Sequence, residues 1–97
     1  MKPVILHPEA EAEMVEAAEW YSARGPSLGR RFRMEIEAAF QRIAANPEMS
    51  GRLRGEVRCH LVNRFPYAIL YEIRADCIFV VAVMHTKRKP GYWRDRI

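Results

Sequence analysis

The sequence predicts an α+β domain of order β-α-α-β-β-β, in which a short N-terminal strand and a helical hairpin pack on an antiparallel meander. Three observations carry that expectation. Small and apolar residues recur at helical spacing in two stretches of the first half, separated by Gly25-Pro26. Beyond Glu56 the apolar period shortens to that of a strand. Near the end, Cys77-Ile-Phe-Val-Val-Ala-Val-Met84 is an unbroken apolar run of strand length, the pattern of a strand buried on both faces.

The elements follow in order. Pro3-Val4-Ile5-Leu6 is a short strand. His7-Pro8-Glu9 reads as a helix start, with proline at a position whose missing N–H costs nothing and with Glu9, Glu11 and Glu13 where the helix dipole favours acids. Ala10, Met14, Ala17, Ala18 and Tyr21 keep the helical spacing until Gly25-Pro26. A second helix starts near Ser27, carries the stripe Leu28, Phe32, Ile36, Ala39, Phe40 and Ile43, and closes at Asn46-Pro47. The polar stretch 48–56 reads as a loop. Two alternating strands follow, Val57 to Val62 and Tyr67 to Arg74, split by Phe65-Pro66, and the turn Ala75-Asp76 leads into the apolar run.

With 97 residues the chain forms a single domain, 1–97, holding one modest core. Chemistry in a molecule of this size belongs on an exposed groove or sheet face. The net charge of +4 is unevenly spread: residues 1–50 hold six Lys/Arg against eight Asp/Glu, and residues 51–97 hold ten against four. The basic half suits contact with nucleic acid or with a machine that handles it, although cations on strand edges also guard a sheet against aggregation. Cys59 and Cys77 have neither CxxC nor zinc spacing, and the histidines at 7, 60 and 85 match no metal motif. No metal or cofactor is expected. No apolar run reaches the ~20 residues that span a bilayer, and no secretory signal fits, so a cytoplasmic location without membrane contact is expected.

In a strand, residues two apart share a face. Arg58 and His60 therefore project together, on the open side of the sheet if Cys59 and Leu61 face the helices. A guanidinium beside an imidazole suits a phosphate. His85 ends the buried run, a place where a ring is often packed with one nitrogen bonded to backbone. Beyond it stand Lys87, Arg88, Lys89, Tyr92 and Trp93. Trp93 is expected to fold back onto the core and Tyr92 to lie at the surface.

Several segments together resemble the RelE/ParE superfamily, the toxins of bacterial type II toxin–antitoxin modules, often labelled plasmid stabilisation proteins. They are Pro8-Glu9-Ala10, Glu19-Trp20-Tyr21, Ile43-Ala-Ala-Asn-Pro47, Leu53-Arg54-Gly55, Val57-Arg58, Arg64-Phe-Pro-Tyr-Ala-Ile-Leu-Tyr71 and Val83-Met-His-Thr-Lys-Arg-Lys-Pro-Gly-Tyr-Trp93. The resemblance covers nearly the whole chain. It implies growth inhibition relieved by a cognate antitoxin, and two alternative targets. A ParE-like toxin inhibits DNA gyrase without cutting nucleic acid. A RelE-like toxin is a ribosome-dependent, metal-free mRNA endoribonuclease, for which the resemblance assigns catalytic roles to Arg58, His60, Arg88 and Tyr92. Arg54, Arg64, His85, Lys87, Lys89 and Trp93 would then bind target or nucleic acid. One phosphate-gripping arginine of the nuclease branch is Ala68 here, so Arg54 or Arg64 would have to replace it. The Phe65-Pro66-Tyr67 and His85-x-x-Arg88-x-Pro90 patterns are common among ParE-like members, and the gyrase target is the favoured reading. The basic second half should attract an acidic antitoxin segment, across the helical hairpin or along the sheet edge.

Overall fold

The computed structural model describes all 97 residues. Its elements are β1 (Val4–Leu6), α1 (Pro8–Arg24), α2 (Pro26–Ala45), β2 (Arg52–Arg54), β3 (Val57–Leu61), β4 (Tyr67–Ile73), β5 (Ile78–His85) and a terminal 3-10 turn, Arg94–Arg96. The five strands form one sheet in the order β1-β5-β4-β3-β2. β1 runs parallel to β5, and every other pairing is antiparallel.

The hairpin of α1 and α2 forms where the sequence places it. His7 caps α1: its Nδ1 accepts the Glu9 N–H at 3.0 Å, satisfying a donor that the first turn leaves free. The helices approach closely at Gly29, where an added Cβ would fall 1.8 Å from Ser22 Oγ and 2.9 Å from Ser22 Cα. Phe32, Ile36, Ala39 and Ile43 from α2 join Ala10, Ala17 and Ala18 from α1 over Ile69, Tyr71, Ile78, Val80 and Val83 of the sheet.

The opposite face of the sheet is also buried. Val57, Ala68, Leu70, Val81 and Ala82 form a second cluster closed by Trp93, 2% exposed, as the C-terminal segment folds across them. Trp93 is thus a core residue, as expected of its ring, and that burial corrects the expectation that it also binds target or nucleic acid. Along β5, Leu70 pairs with Ala82 but Tyr71 pairs with Val80, leaving Val81 as an extra bulged residue. The consecutive Val81 and Ala82 consequently lie in the same cluster.

Two further expectations need correction. The stretch 48–56 is more than a loop: Arg52–Arg54 pairs with β3 as an edge strand, with Arg54 opposite Val57 across the two-residue turn Gly55-Glu56. All three of its residues are exposed, so it carries no apolar pattern. In β3, moreover, the faces are reversed. Cys59 packs with Val57 against the Trp93 side, while Arg58 and His60 point to the hairpin side and Leu61 is 64% exposed. The polar flank of α2 overlies β3, so the apolar side of the strand turns to the surface covered by the C-terminal segment.

Candidate functional site

β1 ends at Leu6, and its last contact with the neighbouring strand is the His7 N–H donating to Val80 O. Beyond that point β5 has a free edge. Glu13 and Arg96 satisfy it. Glu13 Oε1 accepts the Val83 N–H at 3.0 Å, and Arg96 Nη1 donates to Val81 O at 3.1 Å. The two side chains also join in a two-pronged ion pair, Arg96 Nη1 to Oε1 and Nη2 to Oε2, both 3.0 Å. Tyr92 Oη donates to Oε2 at 2.7 Å. Glu13 therefore holds α1, β5, Tyr92 and the terminal turn together.

The expectation that Tyr92 lies at the surface is corrected accordingly: the ring is half-buried. Burial first, and then the hydrogen bond to the Glu13 carboxylate, push its hydroxyl well above the ordinary phenol range. Its ring carries two guanidinium groups, Arg88 at 4.2 Å and Arg96 at 5.0 Å from the centroid.

A groove of about 410 Å³ opens beside this assembly. Glu13, Glu16 and Trp20 of α1 form one wall, and Tyr67, His85 and Arg88 stand on the other side. His85 Nδ1 accepts the Lys87 N–H at 3.1 Å and the ring sets its edge to Tyr67, with centroids 5.2 Å apart, so the packed, backbone-bonded histidine expected at this strand end is what the fold holds. Around the other side of Arg88 lies a second groove of about 330 Å³, where Arg54, Arg88 and Arg94 stand over Met84 and Trp93 with no carboxylate among the lining residues.

Arg58 and His60 belong elsewhere. His60 Nε2 accepts from Arg42 Nε at 3.3 Å, and its Nδ1 meets Ser50 Oγ at 3.0 Å. Because Arg42 can only donate, the neutral ring carries its proton on Nδ1. Burial, and next the Arg42 charge, lower the His60 pKa. Arg58 Nη1 donates to Ser50 O at 2.6 Å and to Glu48 O at 3.3 Å. Tyr71 Oη donates to Pro47 O at 2.6 Å. These groups pin the segment between α2 and β2. In register, His60 sits opposite Ile69 and Ile69 opposite Val83, with Ile69 fully buried between them. Two strand spacings, about 9.6 Å, and an apolar side chain thus separate His60 from the strand position that Glu13 holds.

The structure brings Arg88, Tyr92 and His85 together around one groove and Arg54 with Arg88 around the other. Arg64 stands apart, at φ 70° and 3.8 Å from Glu35, and Lys87 and Lys89 are exposed. Sequence reasoning missed Glu13, Glu16, Trp20, Arg42, Ser50, Arg94 and Arg96. The one signal available was the spacing of Glu13, Glu16 and Trp20 along a single helical stripe.

No helix is long and apolar enough to cross a membrane. No curated protein sequence matches the chain. Among solved structures, the chain is similar to one described as the chromosomal ParDE TA system from P. aeruginosa, with a TM-score of 0.76 and 16% identity over 88% of this chain and 96% of that one. At this identity the likeness shows the fold, two helices on a five-stranded mixed sheet. The sequence profile described as "ParE toxin of type II toxin-antitoxin system, parDE" matches residues 4–90, which span both helices, all five strands and the Arg88 side of the two grooves, and the chain therefore belongs to the ParE toxin family.

Proposed function

We propose that the protein is a growth-inhibiting toxin, held inactive by a cognate antitoxin, whose target is DNA gyrase rather than the phosphodiester bonds of mRNA. The state of Tyr92 carries this reading. Metal-free RNA cleavage needs a base for the 2′-OH, an acid for the leaving oxygen and cations on the phosphate. Tyr92 donates its proton to Glu13, and burial together with that bond pushes its hydroxyl above the ordinary phenol range, away from a group that takes a proton from a 2′-OH. His60 is bonded at both ring nitrogens, and Arg58 is tied to backbone carbonyls. Of the two carboxylates along the groove beside Arg88 and Tyr92, Glu13 is paired with Arg96, and Glu16, which has no ion pair, disfavours phosphate there.

Antitoxin binding is supported by a third groove, about 420 Å³, between the outer faces of α1 and α2. Met14, Val15, Ala18 and Ile36 line it with charges at its rim, the arrangement that accepts one face of an amphipathic helix. A second reading, RNA cleavage, is favoured by one observation: Arg54, Arg88 and Arg94 line a groove free of carboxylates.

Pulse labelling after brief induction separates the two targets. Thymidine incorporation is expected to fall before amino-acid incorporation, and purified protein is expected to inhibit supercoiling by gyrase. Loss of protein synthesis first, with DNA synthesis intact, would overturn the gyrase reading.

A further inference from the structure

We propose that the groove between α1 and the C-terminal segment receives a basic side chain, arginine or lysine, from the antitoxin, and that Glu16 and Trp20 bind it. This inference rests on the toxin–antitoxin reading above and names the chemistry of the contact.

Glu13, Glu16 and Trp20 lie three and four residues apart, which brings two carboxylates and an indole to one wall of the groove. Only one of those carboxylates is committed. Glu13 accepts four hydrogen bonds from within the chain. Glu16 is exposed and takes part in none of the five ion pairs. Trp20 is 52% exposed even with the Arg24 guanidinium over one face of its ring, so indole surface stays open to the groove.

The aromatic rings along this groove already hold guanidinium groups of the chain itself. Arg24 lies 3.2 Å from the Trp20 ring centroid, and Arg88 and Arg96 lie against Tyr92. On the α1 wall, opposite Arg88, a carboxylate without an ion-pair partner next to an open ring favours a cation over phosphate or an acidic side chain. The groove of about 410 Å³ admits a long basic side chain.

Its setting adds register. Arg88 lines this groove and also the one bounded by Arg54 and Arg94, which holds no carboxylate. A segment crossing Arg88 must therefore present a basic group on the Glu16 side and acidic groups on the Arg54 and Arg94 side. A uniformly acidic antitoxin would satisfy only half of that surface, so this contact distinguishes partners by a reversal of charge at one position.

The test is calorimetric titration of the purified chain with its cognate antitoxin, on variants whose melting curves show them folded. Glu16→Gln is expected to weaken binding about 10-fold, and Glu16→Lys about 100-fold, as for loss and reversal of a desolvated charge pair. Trp20→Ala is expected to weaken it as well, while Glu11→Lys, on an exposed position of α1 outside the groove, stays near wild type. Replacing each antitoxin Lys or Arg by Glu in turn should then restore binding to Glu16→Lys at one position. Glu16→Lys binding no more weakly than Glu11→Lys would overturn the proposal, as would failure of every reversal to restore it. If the wild-type chain binds no antitoxin, the toxin–antitoxin reading falls and this assignment with it. If it binds and Glu16→Lys binds equally, only the assignment of the groove falls.

Discussion

Tyr92 donates its hydroxyl to Glu13 across 79 residues of sequence, at 2.7 Å, and Arg96 grips the same carboxylate from the terminal turn. Without that carboxylate, Tyr92 Oη and Val83 N–H lose their partners and a guanidinium whose side chain is 8% exposed loses its main counter-charge. Breaking one side of a buried charged pair typically costs about 3–5 kcal/mol. Glu13→Ala should therefore lower the urea midpoint strongly without changing its slope, by about 3 kcal/mol. Glu13→Gln keeps the shape and should lose less. Unchanged unfolding curves for Glu13→Ala would mean that the clasp contributes nothing to folding.

His60 predicts an acid sensitivity. Arg42 from α2 donates to its Nε2, Arg58 lies on the same face of β3, and Ser50 meets its other nitrogen; no carboxylate stands among these contacts. Protonation would set a cation against the Arg42 guanidinium. The folded pKa is lowered below the unfolded value of about 6.5, so between the two the unfolded chain binds more protons. The stability contributed by neutral His60 is complete above pH ~6.5 and is lost as pH falls through the lower folded value. Proton NMR titration of the His60 ring should give a midpoint below 6.5, and His60→Gln should flatten the stability–pH curve in that window. A midpoint at or above 6.5 would refute the arrangement.

Gly29 is expected to resist the usual gain from alanine in a helix, which is about 1 kcal/mol. An added Cβ meets the Ser22 backbone at 2.9 Å as well as its hydroxyl, so the two helices must separate. Gly29→Ala should be destabilising by about 1–3 kcal/mol, the usual cost of overpacking. Ser22→Ala should rescue it only in part, since it removes the Oγ contact and leaves Cα in place. Thermal melts of the two single variants and the double variant decide the matter.

These features were legible in the sequence to different degrees, for physical reasons. The α2 stripe from Phe32 to Ile43 declares its buried face because that face alone is apolar. β4 and β5 declare themselves as strands but not their facing, because both sides of the sheet are covered. The facing of β3 depends on Trp93 closing the far side, a contact more than thirty residues away along the chain, so the alternation alone pairs Arg58 with His60 without telling which face they take. β2 has no buried residue to mark it. Glu13 is one of five acids along α1, and nothing local separates it from Glu11 or Glu16. Its distinction is the place where β1 stops and β5 goes on.

Tyr92→Phe tests the chemistry most directly. The change removes one hydroxyl, leaves the ring under Arg88 and Arg96, and leaves Glu13 Oε2 bonded to Arg96. Loss of one hydrogen bond to a charged acceptor should cost about 1.5–3 kcal/mol of stability. Were Tyr92 a proton-transfer residue in RNA cleavage, the same change would remove roughly 10²–10⁴-fold of the rate, the usual contribution of a general acid or base. The two expectations separate when growth arrest is plotted against the amount of folded protein, measured by immunoblot of the soluble fraction. The gyrase reading predicts that Tyr92→Phe and wild type fall on one curve. A hundredfold displacement at equal folded protein would return Tyr92 to the catalytic role that its family resemblance first suggested.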